Sequence, residues 1–222
     1  MLILGIDDAG RGPIIGPMII AGALIDSKDE AKLKGLGVKD SKMLTPRRRE
    51  FLAEKIKEDA ETFEIAIACP EEINGSQNNG TNLNLIEALK TAEIINKINK
   101  GFKQIKVIID CPSRGIEKWR DFLRTKVEDL SNLEIVCEHK ADRNHVSVSA
   151  ASILAKCIRE KEMDALRTKY GKEIGSGYCS DPYTTKFLEN HGNTHKQSGI
   201  FRKNWITWKK AQAKAEQKKL EF

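Results

Sequence analysis

Residues 2–25 read LILGIDDAGRGPIIGPMIIAGALI, which is two apolar segments joined by a turn rich in glycine and proline. The first apolar segment covers residues 2–7, and the second covers residues 18–25. Short apolar runs that are bounded by glycine and proline predict buried strands. We therefore expect the chain to open with a β-hairpin whose first strand ends in two carboxylates, Asp7 and Asp8.

Helices and strands alternate after this hairpin. Thr45 followed by Pro46 predicts a helix start, because threonine caps helix N-termini and proline fits the first helical position. Hydrophobic periodicity predicts helices at 46–59, 83–99, 116–127 and 146–170, and further helices that start at 182 and 205. It predicts strands at 63–69, 106–110 and 133–137. Residues 74–81 and 171–178 are polar or rich in glycine and are expected to form loops. This alternation predicts an α/β fold with a mixed central sheet flanked by helices and a C-terminal helical appendage.

Length and composition indicate one main domain. A chain of 222 residues, 40% of them hydrophobic, buries one sizeable core. A boundary near residues 192–199 predicts a main domain at 1–190 and a basic helical extension at 191–222.

No apolar run approaches the length of a membrane span, and the five cysteines are scattered without a Cys-x-x-Cys pair. We expect a cytoplasmic monomer without a zinc site or disulfide framework.

Basic charge is concentrated at the end of the chain. The net charge is +6, and residues 201–222 hold seven lysines or arginines against two glutamates. A basic element of this kind is typical of proteins that bind a polyanion such as nucleic acid. A solvated, lysine-rich helix face explains the same charge equally well, so the charge alone leaves both interpretations open.

Acidic residues stand at or after the ends of three predicted strands. They are Asp7, Asp8, Asp110 and Asp142. Carboxylates that converge in space raise one another's pKa, and a bound divalent cation removes this conflict. Oxygen ligands of this type suit Mg²⁺ or Mn²⁺, and two such ions support in-line hydrolysis of a phosphodiester. A single aspartate at a strand end is better explained as a turn or cap residue, and the four together leave the metal-site and the turn or cap interpretations open.

The turn of the first hairpin carries a family resemblance. Residues 5–13, GIDDAGRGP, resemble the opening signature of type 2 ribonucleases H, usually Gly-[Ile/Thr]-Asp-Glu-Ala-Gly-Arg-Gly-Pro. Further blocks of the same family follow in order, and those at 139–142 and 149–156 resemble its archaeal and eukaryotic branch. The other matching positions are Asp40-Ser41-Lys42 with Leu44-Thr45, Asp110, and residues 175–182. Within the block at 149–156, Ser149 and Ser152 could either reach the site or pack a central helix.

The resemblance implies a ribonuclease H-like fold and an endonuclease that cleaves the RNA strand of RNA–DNA hybrids and single ribonucleotides embedded in duplex DNA. Two Mg²⁺ or Mn²⁺ ions would take part, and the products would carry 3′-hydroxyl and 5′-phosphate ends. The domain at 1–190 would be catalytic, the extension at 191–222 would aid substrate binding, and the process served would be ribonucleotide excision or DNA replication. The family's metal ligands fall on Asp7, Asp8, Asp110 and Asp142, with Asp7 bridging, and its substrate contacts fall on Gly10, Arg11, Gly12, Lys42 and Tyr178.

Two departures from the family pattern keep alternatives open. Asp8 stands where the family has glutamate, which predicts weaker activity or a shift toward Mn²⁺, and Cys179 replaces the usual proline. A hybrid-binding protein that has lost catalysis through Asp8 is one alternative. A type 3 ribonuclease H is a second, although the motif starts at residue 5 and leaves no room for that type's N-terminal domain. A DNA-only nuclease of the superfamily would not explain the Gly-Arg-Gly turn or Tyr178.

The last residues suggest a partner. Residues 217–222 read QKKLEF, which is similar to the start of a sliding-clamp-binding peptide, Gln-x-x-Leu followed by paired aromatics. Only one aromatic residue is present, and it is out of register. Clamp binding and a frayed helix end are both compatible with this pattern.

Overall fold

The computed structural model describes residues 1–38 and 44–220. Its strands are β1 (Leu2–Ala9), β2 (Met18–Asp26), β3 (Thr62–Ala68), β4 (Ile105–Asp110) and β5 (Leu133–Glu138). Its α-helices are α1 (Glu30–Gly35), α2 (Pro46–Asp59), α3 (Pro70–Asn78), α4 (Leu83–Ile98), α5 (Ile116–Arg124), α6 (Ala141–Asn144), α7 (Val146–Tyr170), α8 (Pro182–His191) and α9 (Ile206–Leu220). A short 3-10 helix covers Lys172–Ile174. Every helix within residues 1–38 and 44–220 is too short or too polar to span a bilayer.

The strands form one mixed sheet in the order β3-β2-β1-β4-β5. β1 and β2 pair antiparallel, with Leu2 opposite Asp26, so the predicted opening hairpin is confirmed. β1 pairs parallel with β4, and β4 pairs parallel with β5. The C-terminal ends of these three strands therefore lie at the same edge of the sheet, which is the edge where ligands bind in open α/β sheets.

The described residues divide into two compact units. The first unit comprises residues 1–9, 19–67 and 83–158, and it contains the sheet. The second comprises residues 10–18, 68–82 and 159–222. Residues 146–158 of α7 belong to the first unit, and residues 159–170 belong to the second. The boundary predicted near residue 190 stays a prediction.

The first unit packs helices on both faces of the sheet. On one face, Ile19, Ala21 and other apolar side chains of β2 cluster with α1, α2 and α7. Gly5 of β1 lies on that face, where an added Cβ would stand only 2.1 Å from the carbonyl carbon of Ser147 in α7. On the other face, Gly22 lies against Ile94 and Ile98 of α4. This arrangement confirms the predicted α/β class with a mixed sheet flanked by helices.

The second unit has its own apolar cluster. Residues from the loop after β1, from α8, from the segment before α9 and from the first turn of α9 pack together, and the largest of them are Phe187, Phe201 and Trp208. Phe201 and Trp208 contact each other with ring centroids 4.7 Å apart. Ile15 forms an isolated β-bridge with Phe201, which ties the loop after β1 to the C-terminal part of the chain.

The main error of the sequence-based prediction is α3. Residues 74–81 were expected to form a polar loop, but α3 covers Pro70–Asn78. Its start is capped by Cys69, whose Sγ accepts a hydrogen bond from the amide of Glu72 at 3.4 Å. Within the helix, Asn74 donates to the carbonyl of Phe201 at 2.8 Å, and this long-range bond compensates for the low helix propensity of asparagine.

Candidate active site

Asp7 and Asp110 are brought together by the parallel pairing of β1 with β4. The register places Ile6 next to Ile109, so the two following aspartates are neighbours at the C-terminal edge of the sheet. Asp7 is buried and Asp110 is partly buried. Ile3, Gly5 and Asp7 share one face of β1, because side chains alternate along a strand, and this is the face that packs against α7.

Asp142 reaches the same edge from the short helix α6. A tight turn joins β5 to α6, and its Lys140 has a left-handed backbone with φ of 61°. The amide of Lys140 donates a hydrogen bond to Oδ1 of Asp110 at 2.8 Å. Ala141 packs with Ile3 of β1 and Val148 of α7, which holds α6 against the sheet. One turn thus fixes the carboxylate of Asp110 and orients the helix that carries Asp142.

The three carboxylates form a group that suits a cation. Asp7, Asp110 and Asp142 each offer an oxygen, and these atoms all lie within 4.8 Å of one another. Asp142 is only 4% exposed, and its Oδ1 is buried without a hydrogen-bond partner. A buried, unpaired carboxylate oxygen is costly unless a cation coordinates it. These residues therefore fit a hard divalent metal ion, whose preferred ligands are carboxylate oxygens.

Burial and charge both act on Asp7. Desolvation by burial raises the pKa of the Asp7 carboxyl well above its usual range, and the negative charges of Asp8 and Asp110 raise it further. The hydroxyl of Ser152 and the amide of Asp8 oppose this shift by donating hydrogen bonds to the carboxylate. The Asp8 amide lies 2.7 Å from Oδ1 of Asp7. A nearby positive charge would lower the pKa of Asp7, as a bound metal ion does.

Two residues of α7 support Asp7. Ser152 is fully buried and donates to the Asp7 carboxylate, while Nζ of Lys156 donates to Oγ of Ser152 at 3.1 Å. The spacing of four residues places both side chains on the same helix face. The sequence left open whether Ser152 packs or reaches the site, and it gave no role to Lys156. Ser149, the other serine considered, is buried, and its Oγ has no hydrogen-bond partner.

Asp8 occupies a different position from the other predicted ligands. It does not belong, in the described part of the chain, to the group of carboxylates whose oxygens lie within 4.8 Å of one another. Asp8 follows Asp7 in β1, so its side chain leaves the opposite face of the strand. It is partly buried, and its charge still raises the pKa of Asp7. The role of Asp8 as a ligand stays a prediction.

A second cluster of predicted residues lies within the second unit. Gly10 has φ of 81°, and a Cβ there would stand 2.5 Å from the side chain of Arg159. A Cβ on Gly12 would lie 3.8 Å from the ring of Tyr178, so this glycine faces the tyrosine. The guanidinium of Arg159 lies 4.9 Å from the centre of the Tyr178 ring. Arg159 thus joins the Gly-Arg-Gly turn to Tyr178, a function that the sequence did not indicate.

Two loops of this cluster are tied to each other. The carbonyl of Gly177 accepts hydrogen bonds from the amides of Ile14 and Ile15, at 2.8 and 3.2 Å. Asp181 caps α8 and also accepts hydrogen bonds from the amide and hydroxyl of Ser176, at 2.6 and 2.7 Å. These hydrogen bonds, led by the amide of Ser176, lower the pKa of the Asp181 carboxyl. Tyr178 is 41% exposed, so its ring remains accessible to a ligand.

Comparison with known proteins identifies the family. The sequence model described as Ribonuclease HII matches residues 4–208. The chain belongs to the ribonuclease HII family. Ribonuclease HII of Methanocaldococcus jannaschii is 42% identical over 230 residues, which cover 99% of each chain.

Solved structures agree with this assignment. Ribonuclease H2 from Pyrococcus horikoshii matches with a TM-score of 0.83 and 36% identity, covering 96% of this chain and 98% of that one. The ribonuclease HII of Archaeoglobus fulgidus, solved in complex with PCNA, matches with a TM-score of 0.81 and 36% identity, covering 92% and 95%. As a ribonuclease HII, the protein is a divalent-metal-dependent endonuclease with ribonuclease H activity on RNA–DNA hybrids.

The predicted site residues of this ribonuclease HII fall into three groups. Asp7, Asp110 and Asp142 share one carboxylate cluster, and Asp8 adjoins Asp7 without belonging to it. The Gly-Arg-Gly turn at 10–12 and Tyr178 lie together in the second unit. Lys42, with the rest of the Asp-Ser-Lys block, lies outside the described residues.

Proposed function

We propose that this ribonuclease HII cuts single ribonucleotides embedded in duplex DNA as well as longer hybrids, by two-metal hydrolysis that leaves 3′-hydroxyl and 5′-phosphate ends. The convergence of Asp7, Asp110 and Asp142, with a buried and unpaired oxygen on Asp142, is the observation that carries this proposal. Bound Mg²⁺ or Mn²⁺ would supply water activation and stabilisation of the leaving oxygen. Asp7, with both neighbouring acids near it, is the bridging ligand in this proposal.

The chain's own contribution to hydrolysis is to hold these carboxylates in place. Lys140 fixes one oxygen of Asp110 through its amide, and Ser152 fixes Asp7 through its hydroxyl. Lys156 restrains the Ser152 hydroxyl in turn. Metal geometry tolerates little error, so groups that lock the rotamers of the ligands protect activity. Asp8 would complete the ligand set, and its short side chain favours the less demanding Mn²⁺.

We propose that the Gly-Arg-Gly turn and Tyr178 select the ribonucleotide. The 2′-hydroxyl distinguishes RNA from DNA, and main-chain amides can approach it closely only where a side chain is absent. Gly12 provides this access, whereas the missing side chain of Gly10 makes room for Arg159 and lets the turn pack closely. Arg11 provides a fixed positive charge for the adjacent phosphate. The accessible ring of Tyr178 would stack on the neighbouring sugar. Lys42 is assigned a phosphate contact from the family resemblance alone.

The C-terminal extension, residues 191–222, is proposed to aid duplex binding. Its helix α9 carries exposed Lys209 and Lys210, and seven basic residues lie at 201–222. We also propose that residues 217–222 bind a sliding clamp, which is supported by the solved complex of the A. fulgidus relative with PCNA. A clamp pull-down with the full chain and with a chain that ends at residue 216 tests this, and equal retention of both would contradict it.

Cleavage of a labelled duplex tests the catalytic proposal. One strand carries a single ribonucleotide, an all-DNA duplex is the control, and each is incubated with Mg²⁺ or Mn²⁺. Cleavage of only the ribonucleotide-bearing strand, at its 5′ side, is expected, and Asp142→Asn should abolish it without loss of folding. If the duplex binds but neither metal supports cleavage, the protein is the hybrid-binding alternative.

A further inference from the structure

A fully buried arginine organises the Gly-Arg-Gly turn from the far end of the sequence. Arg202 has no exposed surface, and its guanidinium donates hydrogen bonds to three main-chain carbonyls. Nη1 donates to the carbonyl of Arg11 at 2.8 Å, and Nη2 donates to those of Gly10 and Gly16 at 2.6 and 2.9 Å. Nε donates to Gly16 as well, at 3.1 Å. A single side chain therefore spans the whole turn.

Trp205 adds a hydrogen bond to one further residue of the turn. Its ring lies 5.1 Å from the guanidinium carbon of Arg202, within the range of a cation–π contact. Its Nε1 donates to the carbonyl of Gly12 at 3.0 Å. The carbonyls of Gly10, Arg11 and Gly12 therefore all point toward the segment that contains Arg202 and Trp205.

Peptide geometry converts this arrangement into an orientation for the amides. In a trans peptide, the C=O of one residue and the N–H of the next point in opposite directions. The carbonyls of Gly10 and Arg11 point at the guanidinium of Arg202, so the N–H groups of Arg11 and Gly12 point away from it. Two consecutive amides are thus presented on the same side of the turn, as a recognition surface for an oxygen requires.

The buried charge of Arg202 makes this arrangement rigid. A guanidinium that is removed from water needs its donors satisfied, and here main-chain carbonyls satisfy them. If the turn moves, these buried donors lose their acceptors, so the arginine and the turn stabilise each other's positions. Lysine cannot replace this function, because its ammonium is a single point and cannot span three carbonyls.

We propose that Arg202, assisted by Trp205, is a positioning residue that determines how strongly the protein distinguishes a ribonucleotide from a deoxyribonucleotide. The inference rests on the proposed function, in which the turn at residues 10–12 reads the 2′-hydroxyl. Arg202 touches no substrate in this proposal. It acts through the amides of Arg11 and Gly12, whose direction it sets.

The test measures binding rather than cleavage. Asp110→Asn is introduced into the full chain to prevent cutting, and fluorescence anisotropy gives its affinity for two duplexes that differ only in one 2′-hydroxyl. The preference for the ribonucleotide duplex should fall about tenfold in Arg202→Lys, because one well-oriented hydrogen bond is worth about that factor. Affinity for the all-DNA duplex should change much less than tenfold, since many phosphate contacts contribute to it and Arg11 is only one of them.

Two further variants separate positioning from folding. Leu188→Val removes a methylene from the apolar cluster of the same unit and leaves every hydrogen bond to the turn in place, so it should retain the preference. Trp205→Phe keeps a ring beside Arg202 but removes the bond to Gly12, and it should lose part of the preference even if Arg202→Lys does not fold. A folded Arg202→Lys or Trp205→Phe with full preference would overturn the proposal. A parent chain without any preference would instead refute the proposed function.

Discussion

Gly5→Ala would place a Cβ inside the contact between strand β1 and helix α7. A Cβ at this position would stand 2.1 Å from the carbonyl carbon of Ser147, and 2.3 Å from both the Ser147 oxygen and the Val148 nitrogen. Ordinary contacts begin at 3.4 Å, so strand and helix would have to separate by roughly 1.3 Å. All three atoms belong to the main chain, and no side chain can rotate away to make room.

The sheet resists this separation because β1 is its middle strand and is bonded on both sides, to β2 and β4. Overpacking of a tight core costs about 1–3 kcal/mol, and rigid neighbours place this site at the upper end, about 3 kcal/mol. For a chain of this size, such a loss lowers Tm by about 6–12 °C. Asp7 lies two residues further along β1 and on the same face, so metal-dependent cleavage should fall as well.

Thermal unfolding followed by circular dichroism measures this loss, with Gly35→Ala as the matched control. Gly35 is the last residue of α1, in the same unit, and an added Cβ there meets nothing within 4 Å. The control should be neutral or gain up to about 1 kcal/mol, because alanine favours helix over glycine. If Gly5→Ala unfolds within a degree of the parent chain, the close approach of β1 to α7 is not as described.

Three further predictions concern other parts of the molecule. Asp8→Glu should raise the rate of cleavage in Mg²⁺. If this variant cleaves no faster than the parent chain, the short side chain of Asp8 is not what favours Mn²⁺. The lowered pKa of Asp181 adds stability that is complete above its ordinary value of 3.8 and is lost as pH falls below it. Asp181→Asn should therefore reduce stability by about 1 kcal/mol at neutral pH and flatten the acid side of a urea-unfolding series, whereas an unchanged acid slope would contradict this. Burial raises the pKa of the Cys137 thiol to about 12, so iodoacetamide at pH 8 should modify exposed Cys69 and spare Cys137. Mass spectrometry measures the order of labelling, and early labelling of Cys137 would refute this expectation.

Local patterns explain what the sequence predicted correctly. The hairpin of β1 and β2 follows from two apolar runs and the glycines between them. The helix starts at Thr45-Pro46 and Asp181-Pro182 are confirmed, with each capping side chain accepting a main-chain hydrogen bond. The C-terminal ends of parallel strands meet at one sheet edge, so Asp7 and Asp110 could be placed together before any coordinates were known.

The segment of α3 carries local signals that oppose one another. Asparagine, glycine and serine dominate residues 74–78, and they favoured a loop by propensity alone. Yet Pro70 at the first helical position and the acidic Glu71 and Glu72 in the first turn are helix-start signals, and they were available in the sequence. Asn74 then secures the helix by a bond to Phe201, which no local pattern could show.

The residues that support the site could not be predicted for a different physical reason. Arg202 is separated from its carbonyl partners by 186 to 192 residues. Those partners are main-chain atoms, which every residue has, so the pattern of side chains in the sequence does not reveal them. In the sequence it is one basic residue among seven in a segment that reads as a solvated or polyanion-binding helix. Its complete burial reverses that interpretation, because a charge is removed from water only where many acceptors converge. A basic segment can therefore contain a structural charge that belongs to the recognition turn, and net charge overstates the number of cations left to bind a nucleic acid.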